Sequence, residues 1–304
     1  DGHPFPLFTR ELSTYNSALY CYLIIPFIAL FGLTEMAVRL PAALIASLTI
    51  LTTYWMVIQM FQRSQEFFAT PKTIKWLATI SAFLLAVSPW HLVFSRWANQ
   101  GILLPFFITL GLGCFFRYLQ DENQRSWLFL SFTLFGFSLY TYDIGKLFLG
   151  LLFLGVFGIF FNEWTSSRKR LTNFILTILL FLLISIPIYI YQFTHPEGMI
   201  RFSRITIFAL PLEPSQILSL FFQNWLKHYS PQFLFLMGDT NIRHSMEFTG
   251  QLYLFEAPLL LMGIYALWHS RSRVSFFLLY WLLIYPIPAS LTAEGIPHAL
   301  RSIC

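Results

Sequence analysis

Four places in the chain set a cationic side chain within a few residues of aromatics or histidine. Ser88-Pro89-Trp90-His91 leads to Arg96-Trp97, Tyr140-Thr141-Tyr142-Asp143 leads to Lys146, Gly238-Asp239 leads to Arg243-His244, and His298 precedes Arg301. Arginine and lysine suit phosphate oxygens, arginine through its bidentate fork, and aromatic faces suit sugar rings or isoprenoid chains. One such group alone anchors a helix at a membrane interface; four on one face point to a phosphate-bearing lipid substrate. Metal chemistry has less support. Asp239 and His244 are the nearest acid and histidine pair in their loop, with no DxD or HxxxH spacing beside them, so neither a metal nor another cofactor is expected to be required. There is no P-loop, GxGxxG or GxSxG.

The elements that must position these groups follow from composition. Of 304 residues, 57% are hydrophobic and 11% charged, against roughly 25% charged in a soluble domain. That excludes a soluble globular protein and a disordered one, and 35 phenylalanines suit side chains that meet lipid or each other. The net charge of +5 is dispersed between apolar runs rather than gathered for nucleic acid, with Arg168-Lys169-Arg170 as the tight cluster. Cys21, Cys114 and Cys304 form no paired spacing, so neither a disulfide framework nor a structural zinc is expected. The chain opens on Asp1 and stops at Cys304, and reads as a piece of a longer polypeptide.

Eight segments approach the roughly 20 apolar residues a bilayer crossing needs: 35–61, 74–90, 101–118, 126–142, 146–161, 172–191, 253–269 and 274–287. The expected fold is all-α and membrane-integral, one transmembrane domain over 1–304. Alternate short connections carry Arg63, Lys72, Lys75, Arg117, Arg125, Arg168, Lys169, Arg170, Arg271 and Arg273, whereas those between them carry only Arg96 and Lys146. Retention of positive residues in the cytoplasm then places Arg96, Lys146 and the long 192–252 connection outside. An apolar run interrupted by Pro26 predicts a juxtamembrane helix over 12–33, near the outer surface, with a ninth span as the alternative. In the 192–252 loop, Gln216, Ser219, Gln223 and Lys227 recur opposite Ile217, Leu218, Phe221, Phe222 and Trp225, predicting an amphipathic helix over 215–229. On this topology six of the seven histidines lie at the outer face, namely His3, His91, His195, His228, His244 and His298. A polar site at the outer membrane boundary follows.

Several stretches together resemble a known family. Residues 1–7, Tyr20–Tyr22, Leu30-Phe31-Gly32 with Arg39-Leu40-Pro41, Ser88-Pro89-Trp90-His91 with Phe94-Ser95-Arg96, Leu139-Tyr140-Thr141-Tyr142, and Ile296-Pro297-His298-Ala299-Leu300-Arg301 look like the polytopic GT-C glycosyltransferases of prokaryotes. The family 39 type is the subgroup they are most similar to, with its dolichyl-phosphate-mannose protein mannosyltransferases and lipid A aminoarabinose transferase. The resemblance implies a GT-C-like bundle of about eight transmembrane helices with juxtamembrane helices on the outer face of a prokaryotic cell membrane. It also implies a glycosyltransferase that passes a hexose or pentose from a polyprenyl-phosphate donor to a lipid, glycan or protein acceptor, with membrane lipids as its other partners.

Two departures from that pattern bear on the site. The family's usual catalytic carboxylate follows its first transmembrane helix, which the resemblance places upstream of Asp1, so the fragment alone is expected to be inactive, with Asp143 and Asp239 the weaker candidates within it. A Lys-Pro-Pro that precedes the Leu-Tyr pair in aminoarabinose transferases is Asn16-Ser17-Ala18 here, before Leu19-Tyr20. Donor phosphate binding is therefore expected of Arg96, Lys146, Arg201 or Arg204, and other substrate contacts of Tyr20, His91, Tyr142, Arg243, His244, His298 and Arg301. The alternative is a transporter or flippase for a lipid-linked or polar solute, which should carry charges in mid-membrane at broken helices; the segment centres are nearly free of charge.

Overall fold

The computed structural model describes residues 6–11, 14–62, 70–195 and 204–303. All eight predicted apolar segments form helices: α2 (Glu35–Gln62), α3 (Pro71–Val87), α5 (Leu103–Gln120), α6 (Arg125–Ser138), α7 (Asp143–Ile159), α9 (Arg168–Thr194), α11 (Glu256–Ser270) and α12 (Arg273–Ile284). Shorter elements complete the chain: a β1–β2 hairpin (Phe8–Glu11 with Thr14–Ser17), α1 (Leu19–Phe31), α4 (Pro89–Arg96), α8 (Phe161–Trp164), α10 (Pro214–Lys227) and α13 (Ile287–Ser290).

Helix lengths vary more than the hydropathy pattern implies. Among the described residues, four stretches are long and apolar enough to cross a membrane: Glu35–Gln62, Gln100–Gln120, Arg168–Thr194 and Arg273–Ser290. A fifth arises if Pro71–Val87 and Pro89–Arg96, bent by 57°, count as one broken span. α6, α7 and α11 have 14, 17 and 15 residues. At about 1.5 Å per residue these fall short of a hydrocarbon core about 30 Å thick. The bend is chemical in origin. Pro89 has no N–H to continue the α3 ladder, and the Ser88 hydroxyl and Trp90 N–H both donate to the Gln251 carbonyl, each at 3.2 Å.

α5 forms the centre. Its Leu103, Leu104, Ile108, Leu112, Phe115 and Tyr118 are buried, with α2 packed on one side and α6 on the other. Two glycines allow close approach: a Cβ on Gly113 would lie 2.3 Å from the Trp55 ring, and one on Gly155 2.3 Å from that of Tyr280. The helix starts are capped by Thr70, Ser167 and Ser272, whose side chains accept N–H groups of the first turn.

The predicted 12–33 helix is shorter than expected. It begins at Leu19, because residues 14–17 pair with β1, Phe8 opposite Ser17, while residues 12 and 13 lie outside the described set. In the long connection the amphipathic helix runs over Pro214–Lys227, two residues short of the predicted end. It is tied to the bundle by its buried Asn224, which donates to the carbonyls of Ser290 and Thr292, and by Trp225, which donates to that of Leu283.

Candidate active site

The end of the bundle that carries α4, the start of α7, the end of α9 and the 204–253 connection holds the buried His228, Asp239, His244, Glu256, His298 and Arg301. Asp239 lies at its centre, with its side chain only 1% exposed. One carboxylate oxygen accepts the Asn241 N–H at 2.8 Å; the other accepts the Ala299 N–H at 2.8 Å and His244 Nδ1 at 3.0 Å. Burial pushes this carboxyl up, but the hydrogen bonds from His244, Asn241 and Ala299 outweigh it and hold it below the usual carboxylate range.

Two further histidines surround it, and their bonding fixes their tautomers. His228 Nδ1 donates to the Asn224 carbonyl at 2.8 Å, leaving Nε2 to accept the His298 N–H at 3.2 Å. Burial accordingly pulls the His228 pKa down to about 4. His298 Nδ1 accepts the Arg301 N–H at 3.3 Å and lies 3.7 Å from Asp239. Burial first, and then the positive charge of Arg301, draw its pKa down to about 3. Asp239, His244 and His298 bring one ligand atom each within 4.8 Å of one another. A carboxylate with two imidazoles is a donor set that could hold one divalent cation.

Two cavities flank the 299–303 turn. The first, about 260 Å³, contains Lys146 and Arg301 together with Tyr142, Asp143, Tyr189 and Thr292. Lys146 Nζ donates to Asp143 at 2.8 Å and to Gln192 at 3.0 Å, and stands 5.3 Å above the Phe8 ring. Arg301 is buried and donates through Nη1 to the Thr292 hydroxyl at 2.7 Å and the Glu294 carbonyl at 2.9 Å. Ile144, Leu147, Phe193 and Leu291 make the rest of this wall apolar. The second cavity, about 370 Å³, is apolar almost throughout and runs between α2, α5, α11 and α12. Two buried polar atoms along it, Thr53 Oγ1 and Gln251 Oε1, have no hydrogen-bond partner among the described residues.

The residues singled out by sequence fall into groups. Lys146, Tyr142, Asp143 and Arg301 share the first cavity, and Asp239, His244 and His298 share the polar cluster. Arg96 is not with Lys146: it is exposed and lines a separate open depression with Arg39 and Arg243. Arg204 is exposed next to Ile205 and Thr206 of the first cavity wall, and Arg201 lies outside the described residues. Tyr20 and His91 are buried and line none of these spaces; the Tyr20 hydroxyl donates to the Val38 carbonyl at 2.9 Å. Tyr189, Gln192, Thr292 and His228 were not foreseen as site residues. Tyr189 and Gln192 sit at the polar end of an apolar run, which was a usable signal, whereas nothing local marks Thr292.

The fold and this polar end define a polytopic, predominantly helical membrane protein of the GT-C type. Residues 16–191 match the family of dolichyl-phosphate-mannose-protein mannosyltransferases, and the chain belongs to that family. Its fold is similar to that of ArnT from Cupriavidus metallidurans, solved bound to undecaprenyl phosphate (TM-score 0.54, 15% identity, 94% of this chain and 47% of that one). The apo form of the same protein is also similar (TM-score 0.57, 16% identity, 93% and 46% covered). The chain thus spans about half the length of the solved proteins it resembles. No curated protein sequence matches it.

Proposed function

We propose that the whole protein is a glycosyltransferase that takes a sugar from a polyprenyl-phosphate carrier and passes it to an acceptor at the outer face of the membrane. The observation that carries this reading is the meeting of Lys146 and Arg301, 155 positions apart in sequence, in one half-apolar cavity at a single end of the bundle. A lipid phosphate needs cations at the edge of an apolar wall, and both are present there. Membership of the mannosyltransferase family and likeness in fold to a protein solved with undecaprenyl phosphate support the same donor class.

The chemistry is a displacement at the anomeric carbon. The acceptor hydroxyl oxygen bonds to that carbon, the bond from carbon to phosphate oxygen breaks, and the phosphate leaves with the electron pair. Lys146 and Arg301 stabilise the charge gathering on it, and a carboxylate takes the acceptor proton. Asp143 is held by Lys146, and Asp239 accepts three N–H donors. Both therefore position other groups in this reading.

The full-length protein, reconstituted with a panel of undecaprenyl-phosphate-linked radiolabelled sugars and a membrane extract as acceptor, should transfer label from at least one. Transfer from nucleotide sugars alone would refute the donor assignment. Orientation is tested separately: with an impermeant thiol reagent on intact cells, Ser245→Cys should react and Ser167→Cys should not.

A further inference from the structure

Arg301 has its backbone and its tip held from two different directions. Its N–H donates to His298 Nδ1 at 3.3 Å, the His298 N–H donates to His228 Nε2 at 3.2 Å, and the Ala299 N–H donates to Asp239 at 2.8 Å. The long connection, through His228 and Asp239, therefore sets the turn from which the side chain leaves. A fixed turn does not aim an arginine, because the side chain that follows is long and rich in rotamers. Its aim comes from the far end: Nη1 docks on the 292–294 segment, donating to the Thr292 hydroxyl at 2.7 Å and the Glu294 carbonyl at 2.9 Å.

Thr292 is itself fixed by contacts that do not involve Arg301. Its hydroxyl hydrogen is committed to the Ala289 carbonyl at 2.7 Å, so a lone pair is what it offers to Nη1. Its backbone N–H donates to the same Ala289 carbonyl at 3.0 Å, its own carbonyl accepts Asn224 Nδ2 at 3.3 Å, and the Ala293 N–H donates to the Ile205 carbonyl at 2.7 Å. The buried side chain is branched at Cβ, which leaves it few rotamers. The hydroxyl thus keeps its place whatever the arginine does. Thr292, Arg301 and Lys146 all line the donor cavity, so this dock sets how the guanidinium fork meets a phosphate bound there.

We propose that Thr292 is a positioning residue, whose hydroxyl orients the Arg301 fork toward the leaving phosphate of the lipid-linked donor. This rests on the glycosyltransferase reading above, in which Lys146 and Arg301 hold that phosphate. The test is a double-mutant cycle in the full-length protein in nanodiscs, with transfer from the undecaprenyl-phosphate-linked sugar it accepts read as kcat/KM. Thr292→Val keeps the shape and removes the hydroxyl. It should lower kcat/KM by about tenfold, the loss expected for one hydrogen bond to a charged group, and Thr292→Ala, the same deletion with less bulk, should lose at least as much. Thr292→Ser keeps the hydroxyl and should return to within about threefold of the parent. In an Arg301→Ala background Thr292→Val should change kcat/KM by less than about twofold, because the group it acts through is gone. An equal loss in both backgrounds, a serine variant as poor as the valine one, or a valine variant as active as the parent overturns the proposal and leaves the donor reading intact. Arg301→Ala with parental kcat/KM defeats the donor reading itself, and this assignment with it.

Discussion

The two ends of the helix bundle place charge in different surroundings. At one end Glu163 accepts Arg170 and Arg273, each at 2.6 Å, and Arg170 also reaches Glu122 at 2.7 Å. Two arginines face two carboxylates there, and α8, α9, α12 and the α5–α6 turn are locked together. At the other end Arg301 donates to a hydroxyl and a carbonyl, both neutral, and faces a cavity, while three more arginines line an open basin. The ion pairs at the first end join helices, whereas Lys146, bonded to Asp143, and Arg301, bonded to Thr292 and Glu294, line a cavity that a ligand can enter. The same residue type thus sits in different surroundings at the two ends, and the difference supports the proposal that the chemistry belongs to one of them.

The comparison breaks most visibly at Arg301. Arg301→Ala in the full-length protein should lower kcat/KM for the lipid-linked donor by roughly a hundredfold, since more than one charge-assisted contact is lost; steady-state transfer assays check it. Lys146→Ala should cost roughly ten- to a hundredfold by the same assay, and Lys146→Arg should recover most of that loss because the charge is kept. Glu163→Gln sharpens the contrast from the other end. It should leave kcat/KM unchanged and lower thermal stability by about 1–3 kcal/mol, between the values of exposed and buried ion pairs, as read by thermal unfolding in detergent. The smallest effect belongs to Lys169→Ala: this exposed lysine donates to Asn123 at 2.6 Å, and neither transfer nor unfolding should change measurably.

Much of the site could be read in the sequence because its parts are local. Lys146 follows Tyr142-Asp143 within one helical turn, and Asp239, Arg243 and His244 share one loop, so type and spacing mark them. What could not be read is which clusters meet. Arg96 and Lys146 look equivalent as lone cations in outer connections, yet the Pro89 bend carries α4 toward the 239–251 connection and away from α7, which separates them. His298 and Asp239 come together where the Ala299 N–H donates to the carboxylate, a contact between backbone and side chain that no pattern of residue types announces. Hydropathy located the eight apolar helices but not their lengths: α6 loses its last turn to the 139–141 turn and α11 starts late, at Glu256, whose side chain accepts the Tyr253 N–H.

The central claim is that the donor phosphate lies between Lys146 and Arg301, and photo-crosslinking tests it most directly. A polyprenyl phosphate with a photoreactive group beside the phosphate, irradiated with the full-length protein in nanodiscs and mapped by mass spectrometry, should label residues lining that cavity, among them Tyr142, Tyr189 and Thr292. Adducts around Glu163 and Arg273, or around Arg96 and Arg243 in the basin, would contradict it.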